Sequence, residues 1–351
     1  MIGCLVVMIL KGERNQMTKH IPLNVLDLVG ISENQTVAEA IEASMEHAQL
    51  IDRLGFKRLW FAEHHNTQNL ASTATSQLIM MAAERTENIR VGSGGIMMPN
   101  HSALQVAENF GMIAQLHPDR IDLGLGRAPG TDGRTSQLIT RSNSDAQTFA
   151  NNIYDLIGWF SEEGLGKSVP VTSTVGTGTN IPIWVLGSSM NGASIAGQLG
   201  LPYSIATHFT PEDYKQKIDN YRQTFKTDAP TSQIGEPYVM AGINVIVAPT
   251  DEEAEKIWTT TTQMMMDMQT GQKRKLQPPV DPEELGSEQQ RKMMEAMFSI
   301  KAVGSPETVL KKLEEFTEDT GADELIIVTY AYDPEKRKQS MEMLADLWFD
   351  K

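Results

Sequence analysis

Short apolar runs alternate along the chain with longer segments of helical period. The runs are rich in Val, Ile and Leu, as strands buried on both faces are. Eight strands are predicted in this way, at Leu23–Val29, Lys57–Ala62, Ile89–Gly95, Ile121–Gly126, Ile183–Leu186, Tyr203–Thr207, Met240–Val247 and Glu324–Thr329. Strands that alternate with helices predict a parallel α/β sheet, and eight is the strand number of a (β/α)8 barrel.

Two arrangements of these strands fit the pattern, because periodicity does not show whether a sheet closes. A doubly wound open sheet is the alternative, and the lack of a glycine-rich dinucleotide turn after the first strand disfavours it. We therefore expect a single domain over residues 21–351, an α/β fold of the (β/α)8 (TIM) barrel type with insertions.

Several helix starts can be identified from capping residues. Thr36 and Glu39 form a capping box ahead of an apolar row of helical spacing. Thr210-Pro211 and Ser305-Pro306 each place a capping side chain before a proline, which predicts a helix beginning at that proline.

Three stretches are longer than barrel connections need to be, at residues 127–144, 163–181 and 267–302. The last is the longest insertion and lies between the seventh and eighth strands, so it is the candidate lid over the barrel mouth. At the other end, Ile2–Leu10 is apolar but too short to span a bilayer and lacks the basic residues of a signal peptide. We expect residues 1–20 to form an N-terminal tail outside the fold.

Charge and cysteine content exclude several classes of function. The formal net charge of −15 opposes binding to nucleic acid or to an anionic membrane surface. The single cysteine, Cys4, allows no internal disulfide, so a reducing cytoplasmic location is expected. The seven histidines do not show the spacing of a zinc site, and no metal is expected.

Polar residues that directly follow barrel strands should converge on one mouth, where barrel enzymes hold their ligands. Those residues are Asp27, Glu63, His64, His65, Gly94, Gly95, Arg127, Gly187, Ser188, Ser189 and His208. Gly187-Ser188-Ser189 form a strand-to-helix turn whose backbone N–H groups and hydroxyls suit an anion, and Arg127 follows the neighbouring strand. A phosphate site is therefore predicted there, with a plain loop and a structural ion pair as the alternatives.

Two further pairs of residues at the mouth are candidates for the functional site. Gly94 and Gly95 lack side chains, which would let a flat ligand lie against the backbone or permit an unusual peptide geometry; a tight barrel end is the alternative. His64 and His65 are adjacent, so at most one of them faces the mouth. A histidine facing the mouth suits proton transfer, and its alternative is a histidine that satisfies a buried carbonyl.

Three ordered motifs carry a family resemblance. They are Leu59-Trp60-Phe61-Ala62-Glu63-His64-His65, Val91-Gly92-Ser93-Gly94-Gly95-Ile96-Met97-Met98-Pro99-Asn100-His101 and Arg120-Ile121-Asp122-Leu123-Gly124-Leu125-Gly126-Arg127-Ala128-Pro129-Gly130. In this order they resemble the bacterial luciferase-like flavin monooxygenase family. The likeness continues through Pro182–Asn191 to the Gly321–Leu325 region, so it covers nearly everything from about residue 22 onward.

The resemblance implies an enzyme that takes reduced FMN as co-substrate, often from a separate flavin reductase. It then oxidises a small organic substrate with O2 through a flavin C4a-hydroperoxide. By position, His64 matches the catalytic histidine, and Arg127, Gly187, Ser188 and Ser189 match the phosphate-binding region. Gly94 and Gly95 match a bulge, often with a cis peptide, behind the flavin ring; His101 matches a histidine near the mouth. A homodimer is expected by the same resemblance.

Two departures limit what is carried over from the family. Luciferase has a cysteine and a glutamate where this chain has Gly126 and Gly187, so light emission is not expected. The lid has its own composition, so aldehyde specificity is not expected either. Relatives also use deazaflavin for hydride transfer. A deazaflavin- or NAD(P)H-linked flavin oxidoreductase, and a non-catalytic flavin-binding barrel, therefore stay as alternatives.

Overall fold

The computed structural model describes residues 20–142 and 144–349. The strands in this part of the chain are β1 (Leu23–Asp27), β2 (Arg58–Phe61), β3 (Arg90–Ser93), β4 (Ile96–Met97), β5 (Ile121–Gly126), β6 (Ile183–Gly187), β7 (Tyr203–Ile205), β8 (Val239–Val247), β9 (Lys301–Gly304) and β10 (Glu324–Val328). The α-helices are α1 (Val37–Leu54), α2 (Thr75–Arg85), α3 (Ala103–Leu116), α4 (Gly133–Ile139), α5 (Ala146–Phe160), α6 (Met190–Leu199), α7 (Tyr214–Thr224), α8 (Asp251–Thr270), α9 (Glu288–Met297), α10 (Pro306–Thr320) and α11 (Pro334–Trp348).

Eight parallel strands close into a barrel in the order β1-β2-β3-β5-β6-β7-β8-β10. Closure comes from β10, which pairs with β8 on one side and with β1 on the other. Each of the eight predicted strands overlaps one of these, so the predicted (β/α)8 barrel is confirmed and the open sheet is wrong. In this cyclic order β2 and β7 are four strands apart in either direction, and therefore lie opposite each other.

Two short strands lie outside the eight. β4 pairs with β5 beyond the end of β3, and β9 pairs with the last residues of β8. β9 begins in the last two residues of the stretch, 267–302, that the sequence pattern assigned to an insertion. That stretch also contains the end of α8, a 3₁₀ turn at Pro282–Glu284 and α9.

Strand residues alternate between two apolar layers. One layer packs against the surrounding helices and includes Val25, Leu59 and Phe61. The other faces the barrel interior and contains Leu26, Trp60, Ala62, Trp184, Met240, Ile326 and Val328. Because side chains alternate along a strand, residues separated by an even number of positions point to the same side, either toward the helices or toward the interior. We describe such residues as having the same parity.

A charged network fills the amino-terminal end of the barrel interior. Arg58 donates to Asp122 at 2.6 Å and to Glu324 at 2.9 Å, and both carboxylates are fully buried. Burial opposes ionisation of Glu324, but the charges of Arg58 and Lys57 outweigh it and hold the pKa of Glu324 far below its usual range. These ions lie inside strands that the sequence pattern assigned wholly to apolar core.

The predicted helix starts had different outcomes. The Thr36–Glu39 capping box is present at the start of α1, and α10 begins at Pro306. The prediction at Thr210-Pro211 is wrong, since α7 begins only at Tyr214. Asp213, just before it, has a left-handed backbone with φ of 52°, which interrupts any helix begun at the proline.

The predicted tail lies outside the described residues except for His20. That residue packs on the last helix, with its ring stacked 4.1 Å from the ring of Trp348.

Candidate functional site at the carboxyl ends of the strands

The carboxyl ends of all eight barrel strands meet at one opening, since the strands are parallel. His64 follows β2, Gly94 follows β3, Arg127 follows β5, Ser188 follows β6 and His208 follows β7. The structure therefore places these predicted site residues around one mouth. Their individual surroundings differ, and those differences determine what each can do.

His64 faces the barrel interior. It has the same parity as Trp60 and Ala62, which belong to the interior cluster. Its backbone N–H donates to the carbonyl of Ser72 at 2.9 Å, which fixes the chain at this point. Its Nδ1 is buried and has no hydrogen-bond partner among the described residues. Burial, and then the neighbouring His65, lower the pKa of His64 despite the opposing charge of Glu63, which favours a neutral imidazole at pH 7.

Glu63 points away from the interior and organises the loops behind the mouth. Its buried carboxylate accepts hydrogen bonds from His101 at 2.9 Å, His65 at 2.9 Å, Asn100 at 3.1 Å and the backbone of Met97 at 2.9 Å. Burial alone would raise the pKa of Glu63. The hydrogen bonds, led by the one from His101, more than offset this and leave the pKa low.

His65 and His101 thus use Nε2 to hold Glu63. For His65 the structure agrees with the prediction that only one of the adjacent histidines faces the mouth. His101, predicted to lie near the mouth, is bound to the same carboxylate, and no hydrogen bond joins it to His64 among the described residues.

Arg127 and Ser188 emerge side by side. β5 and β6 are neighbours with Leu125 opposite Val185, and Arg127 and Ser188 each come directly after their strand. In the described part of the chain, the guanidinium of Arg127 and the hydroxyl of Ser188 make no ion pair or side-chain hydrogen bond. The structural ion pair considered as an alternative for Arg127 is therefore not found among these residues.

Gly187 and Ser189 complete this turn in different ways. The carbonyl of Gly187 accepts a hydrogen bond from the hydroxyl of Tyr203 at 3.2 Å. Ser189 is the N-cap of α6, with its Oγ accepting from the backbone N–H of Gly192 at 3.1 Å. The turn is thus a capped helix N-terminus, beside which an anion is favoured.

Gly94 and Gly95 are joined by a cis peptide bond, which is one of the two geometries their sequence suggested. The space that their side chains would occupy is filled by protein. A Cβ at Gly94 would lie 2.6 Å from Leu26, and one at Gly95 would lie 2.7 Å from the carbonyl oxygen of Gly124. Packing against the backbone therefore accounts for glycine at 95, whereas a side chain at 94 would require Leu26 to move; contact of a ligand with either glycine stays a prediction.

His208 lies across the mouth from His64. Its ring lies over Gly242 of β8, because a Cβ at Gly242 would clash with Nδ1 of His208. Nδ1 is buried and has no partner among the described residues. Burial, and then the nearby His64, lower the pKa of His208 to about 4. The sequence placed His208 at the mouth but assigned it no role, because its orientation depends on Gly242, a glycine far from it in sequence.

Asp27 is another predicted mouth residue that turns elsewhere, as Glu63 and His65 do. Its parity is that of the helix-facing layer, and it accepts hydrogen bonds from Ser44 of α1 at 2.7 Å and from the backbone of Val29 at 2.8 Å. It also forms an ion pair with Arg337 of α11 at 2.9 Å. Asp27 therefore fixes two helices to β1 and does not reach the mouth.

The segment between α8 and the 3₁₀ turn crosses the loop after β1. The backbone N–H of Leu276 donates to Ile31 at 2.9 Å, and Leu276 accepts from the backbone N–H of Glu33 at 2.9 Å. Hydrogen bonds, led by the one from the backbone of Thr135, lower the pKa of Asp132, which caps α4 after β5, and the charge of Lys273, in the same segment as Leu276, lowers it slightly further. The predicted lid segment thus lies on the mouth side of the barrel.

Two other features bear on the kind of site present. Among the described residues, no group of three or more His, Cys, Asp or Glu side chains is arranged to hold a metal ion. No helix in the same residues is long and apolar enough to cross a membrane.

Comparison with known proteins gives consistent matches over nearly the whole chain. A family model described as luciferase-like monooxygenase matches residues 21–324. A protein of Escherichia coli K12 named luciferase-like monooxygenase is 37% identical over 331 residues, covering 94% of this chain and 97% of that protein. The crystal structure of apo-MsnO8 is 32% identical with a TM-score of 0.80, covering 93% and 98% of the two chains.

A more distant match shares the fold alone. The oxygenating constituent of 3,6-diketocamphane monooxygenase from Pseudomonas putida, solved in complex with FMN, has a TM-score of 0.70 at 17% identity. The match covers 94% of this chain and 98% of that one.

Proposed function

The chain belongs to the luciferase-like monooxygenase family, and on that premise we propose that it is a monooxygenase that binds reduced FMN and uses O2 to oxidise a small organic substrate. One observation carries the proposal. Arg127 and Ser188 directly follow the neighbouring strands β5 and β6 and make no ion pair or side-chain hydrogen bond among the described residues, and Ser188 immediately precedes the N-cap of α6. The largely buried imidazole of His64 follows β2 at the same mouth.

The residues present fit a flavin mononucleotide. A phosphate carries up to two negative charges and several acceptor oxygens, which match the forked guanidinium of Arg127, the hydroxyl of Ser188 and the N-terminus of α6. Nδ1 of His64 and Nδ1 of His208 are both buried and have no hydrogen-bond partner among the described residues. A bound reduced flavin would supply the electrons with which O2 is activated.

Each group of the chain has a separate task in this proposal. Arg127 and Ser188 bind the phosphate, which places the rest of the cofactor toward the interior. His64, kept neutral by burial, accepts or donates a proton at Nδ1. Glu63 does not touch the ligand; with His65 and His101 bound to it, it fixes the loops from which His64 projects.

The interior favours an apolar substrate. Its walls near the mouth are formed by Leu26 and Val328, with the partly buried Leu28, Leu186 and Tyr330 packed against them. The segment around Leu276 would exclude water while the ligand is held. We propose that reduced FMN comes from a separate reductase, so that supplying it directly bypasses that partner.

The test is anaerobic titration of the purified protein with chemically reduced FMN, followed by mixing with oxygenated buffer. We expect tight binding of FMN and a rate of flavin reoxidation clearly different from that of free reduced FMN. Binding of a reduced deazaflavin in preference, with hydride transfer and no O2 consumption, would favour the reductase alternative. Bound FMN that reoxidises at the rate of free flavin would favour a non-catalytic binding barrel.

A further inference from the structure

We propose that Tyr203 is a positioning residue of the phosphate site: its buried hydroxyl fixes the peptide that joins Gly187 to Ser188 and so directs the backbone N–H of Ser188 into the site. The inference rests on the proposed function, because it takes the phosphate of FMN as the group bound there. It adds to that function a side chain that does not touch the ligand and a backbone donor that does.

Tyr203 reaches the turn after β6 from the layer between the strands and the helices. It is the first residue of β7 and lies opposite Val185 of β6, two residues before Gly187. Its side chain is fully buried, and its hydroxyl donates to the carbonyl oxygen of Gly187 at 3.2 Å. The hydroxyl thus ties the end of β6 to the neighbouring strand.

The direction of the Gly187 carbonyl determines where the next N–H points. That carbonyl also accepts from the backbone N–H of Ala206 at 3.1 Å, so both of its donors come from the β7 side. A trans peptide is planar, and its C=O and N–H point in opposite directions. The N–H of Ser188 therefore points away from β7 and toward β5, the strand on the other side of β6, which Arg127 directly follows.

The N–H of Ser188 has no partner within the described part of the protein. No acceptor for it is found there, and it lies outside β6, which ends at Gly187, and outside α6, which begins at Met190. Ser188 is half-buried and Ser189 is exposed, so a ligand can approach the turn. Tyr203, in contrast, is covered by protein and can act on a phosphate only through the turn.

Two further observations support a fixed turn. A Cβ placed on Gly187 would lie 3.5 Å from the ring of Tyr203 and 3.5 Å from Cα of Gly192, so the ring and the first turn of α6 both border the space beside Gly187. Burial raises the pKa of Tyr203, which keeps its hydroxyl protonated and able to donate. A donor whose direction is fixed in advance does not have to be ordered on binding, and this strengthens binding.

Tyr221 provides a matched control. Its side chain is also fully buried, its ring lies 5.3 Å from that of Tyr203, and its hydroxyl donates to the carbonyl of Leu201 at 2.9 Å. Leu201 precedes β7, at the end of that strand away from the mouth. Tyr203→Phe and Tyr221→Phe therefore each remove one buried hydroxyl from the same layer, and only the first removes a contact with the turn after β6.

The experiment compares the Kd of FMN with that of riboflavin, by flavin fluorescence titration, in the natural protein and in both variants. The natural protein should bind FMN more tightly than riboflavin. Tyr203→Phe should reduce this preference about threefold to tenfold, up to the effect of losing one neutral hydrogen bond, and Tyr221→Phe should leave it unchanged.

The possible failures are distinguishable. A preference for FMN that is unchanged in Tyr203→Phe, or that falls equally in both variants, would overturn the inference and leave the proposed function standing. A natural protein that binds FMN no better than riboflavin would overturn the phosphate site and the inference together.

Amide NMR gives a measurement that does not depend on how the variants fold. The 15N–1H signal of Ser188 is followed in the natural protein as FMN or riboflavin is added. We expect a larger shift with FMN, since only FMN brings a phosphate to this N–H. The signal of Leu201, whose N–H donates to Ala196, should stay unchanged. Equal shifts of the Ser188 signal with both ligands would contradict a phosphate contact of that N–H, and with it the role assigned to Tyr203.

Discussion

Glu63 and His64 are neighbours in the chain but serve opposite sides of the backbone where β2 ends. Glu63 accepts hydrogen bonds from His65 and His101 behind the mouth, while His64 projects into the barrel with a free Nδ1. The alternation of side chains along a strand thus places Glu63, which holds the loops together, and His64, the proposed proton-transfer residue, on opposite sides of the backbone.

This separation predicts unequal effects of replacing the two adjacent histidines. His64→Ala should change the rate constant for the reaction of bound reduced FMN with O2 by at least about 100-fold, the lower end of the range for a positioned proton-transfer group. FMN affinity should fall by less than about tenfold, since at most one hydrogen bond is lost. Stopped-flow absorbance measures the first quantity and flavin fluorescence the second. His65→Asn is the matched control, and a larger effect from it than from His64→Ala would contradict the assignment.

The guanidinium of Arg127 has no ion-pair partner among the described residues and follows the strand next to that of Ser188. We therefore predict that replacing Arg127 removes recognition of the phosphate selectively. Arg127→Leu should weaken FMN binding about 10-fold to 100-fold, corresponding to the loss of a charge-assisted hydrogen bond of about 1.5–3 kcal/mol. Riboflavin has the same ring system but no phosphate, so its affinity should be the same in both proteins. Isothermal titration with the two ligands makes the comparison. An equal loss for riboflavin would show that the substitution disturbs the barrel and not a phosphate contact.

The charged network in the barrel interior predicts a large loss of stability on removing its central cation. Arg58→Met leaves Asp122 and Glu324 buried without their shared partner, and breaking a buried pair in this way costs about 3–5 kcal/mol of unfolding free energy. Arg85→Met is the control, because the Arg85–Glu42 pair is exposed and such pairs contribute about 1 kcal/mol or less. Urea denaturation of both variants measures the difference, and similar losses would contradict the role of burial.

The lowered pKa of the buried His47 predicts that the unfolding free energy decreases at acidic pH. Burial, and then Arg337, lower its pKa to about 3 from the ordinary value of 6.5. The unfolded chain therefore binds a proton below pH 6.5 that the folded protein does not. Stability is fully present above that value and falls as the pH decreases toward 3. Between pH 7 and pH 5 this residue alone should lower the unfolding free energy by about 2 kcal/mol.

The measurement is urea denaturation at both pH values for the natural protein and for His47→Gln, which cannot take up that proton. His64 and His208 also have lowered pKa values and contribute in the same range, so the difference between the two proteins isolates His47. An identical pH dependence in both would contradict a neutral, buried His47.

The strands could be predicted from the sequence because each barrel strand is a short, mostly apolar run between helical segments. β9 was missed since Lys301–Gly304 is only four residues long and begins with a lysine, so nothing separated it from the insertion. The interior ions were missed for another reason. Arg58 lies 64 residues from Asp122 and 266 from Glu324, and no local pattern shows that distant charges will neutralise one another.

The candidate site was predictable as a set of residues but not in its orientations. The ends of the predicted strands identified the mouth of the barrel. The residues that follow those ends, among them His64, Arg127, Ser188 and His208, could therefore be assigned to it. Asp27 was placed there wrongly because the mouth set was chosen by position along the strand, without applying the parity that points it to α1 and α11. The sequence singled out Gly94 and Gly95, but it could not show that side chains there would meet Leu26 and the backbone of Gly124, residues that only folding brings near.

The ions at the amino-terminal end of the barrel also bear on how a ligand would reach the interior. Arg58, Asp122 and Glu324 fill that end with buried, paired charge. A cofactor and a substrate of the kind proposed would therefore enter and leave by the carboxyl ends of the strands. Departure of one molecule would then have to precede entry of the next, so access as well as affinity would set the order of binding.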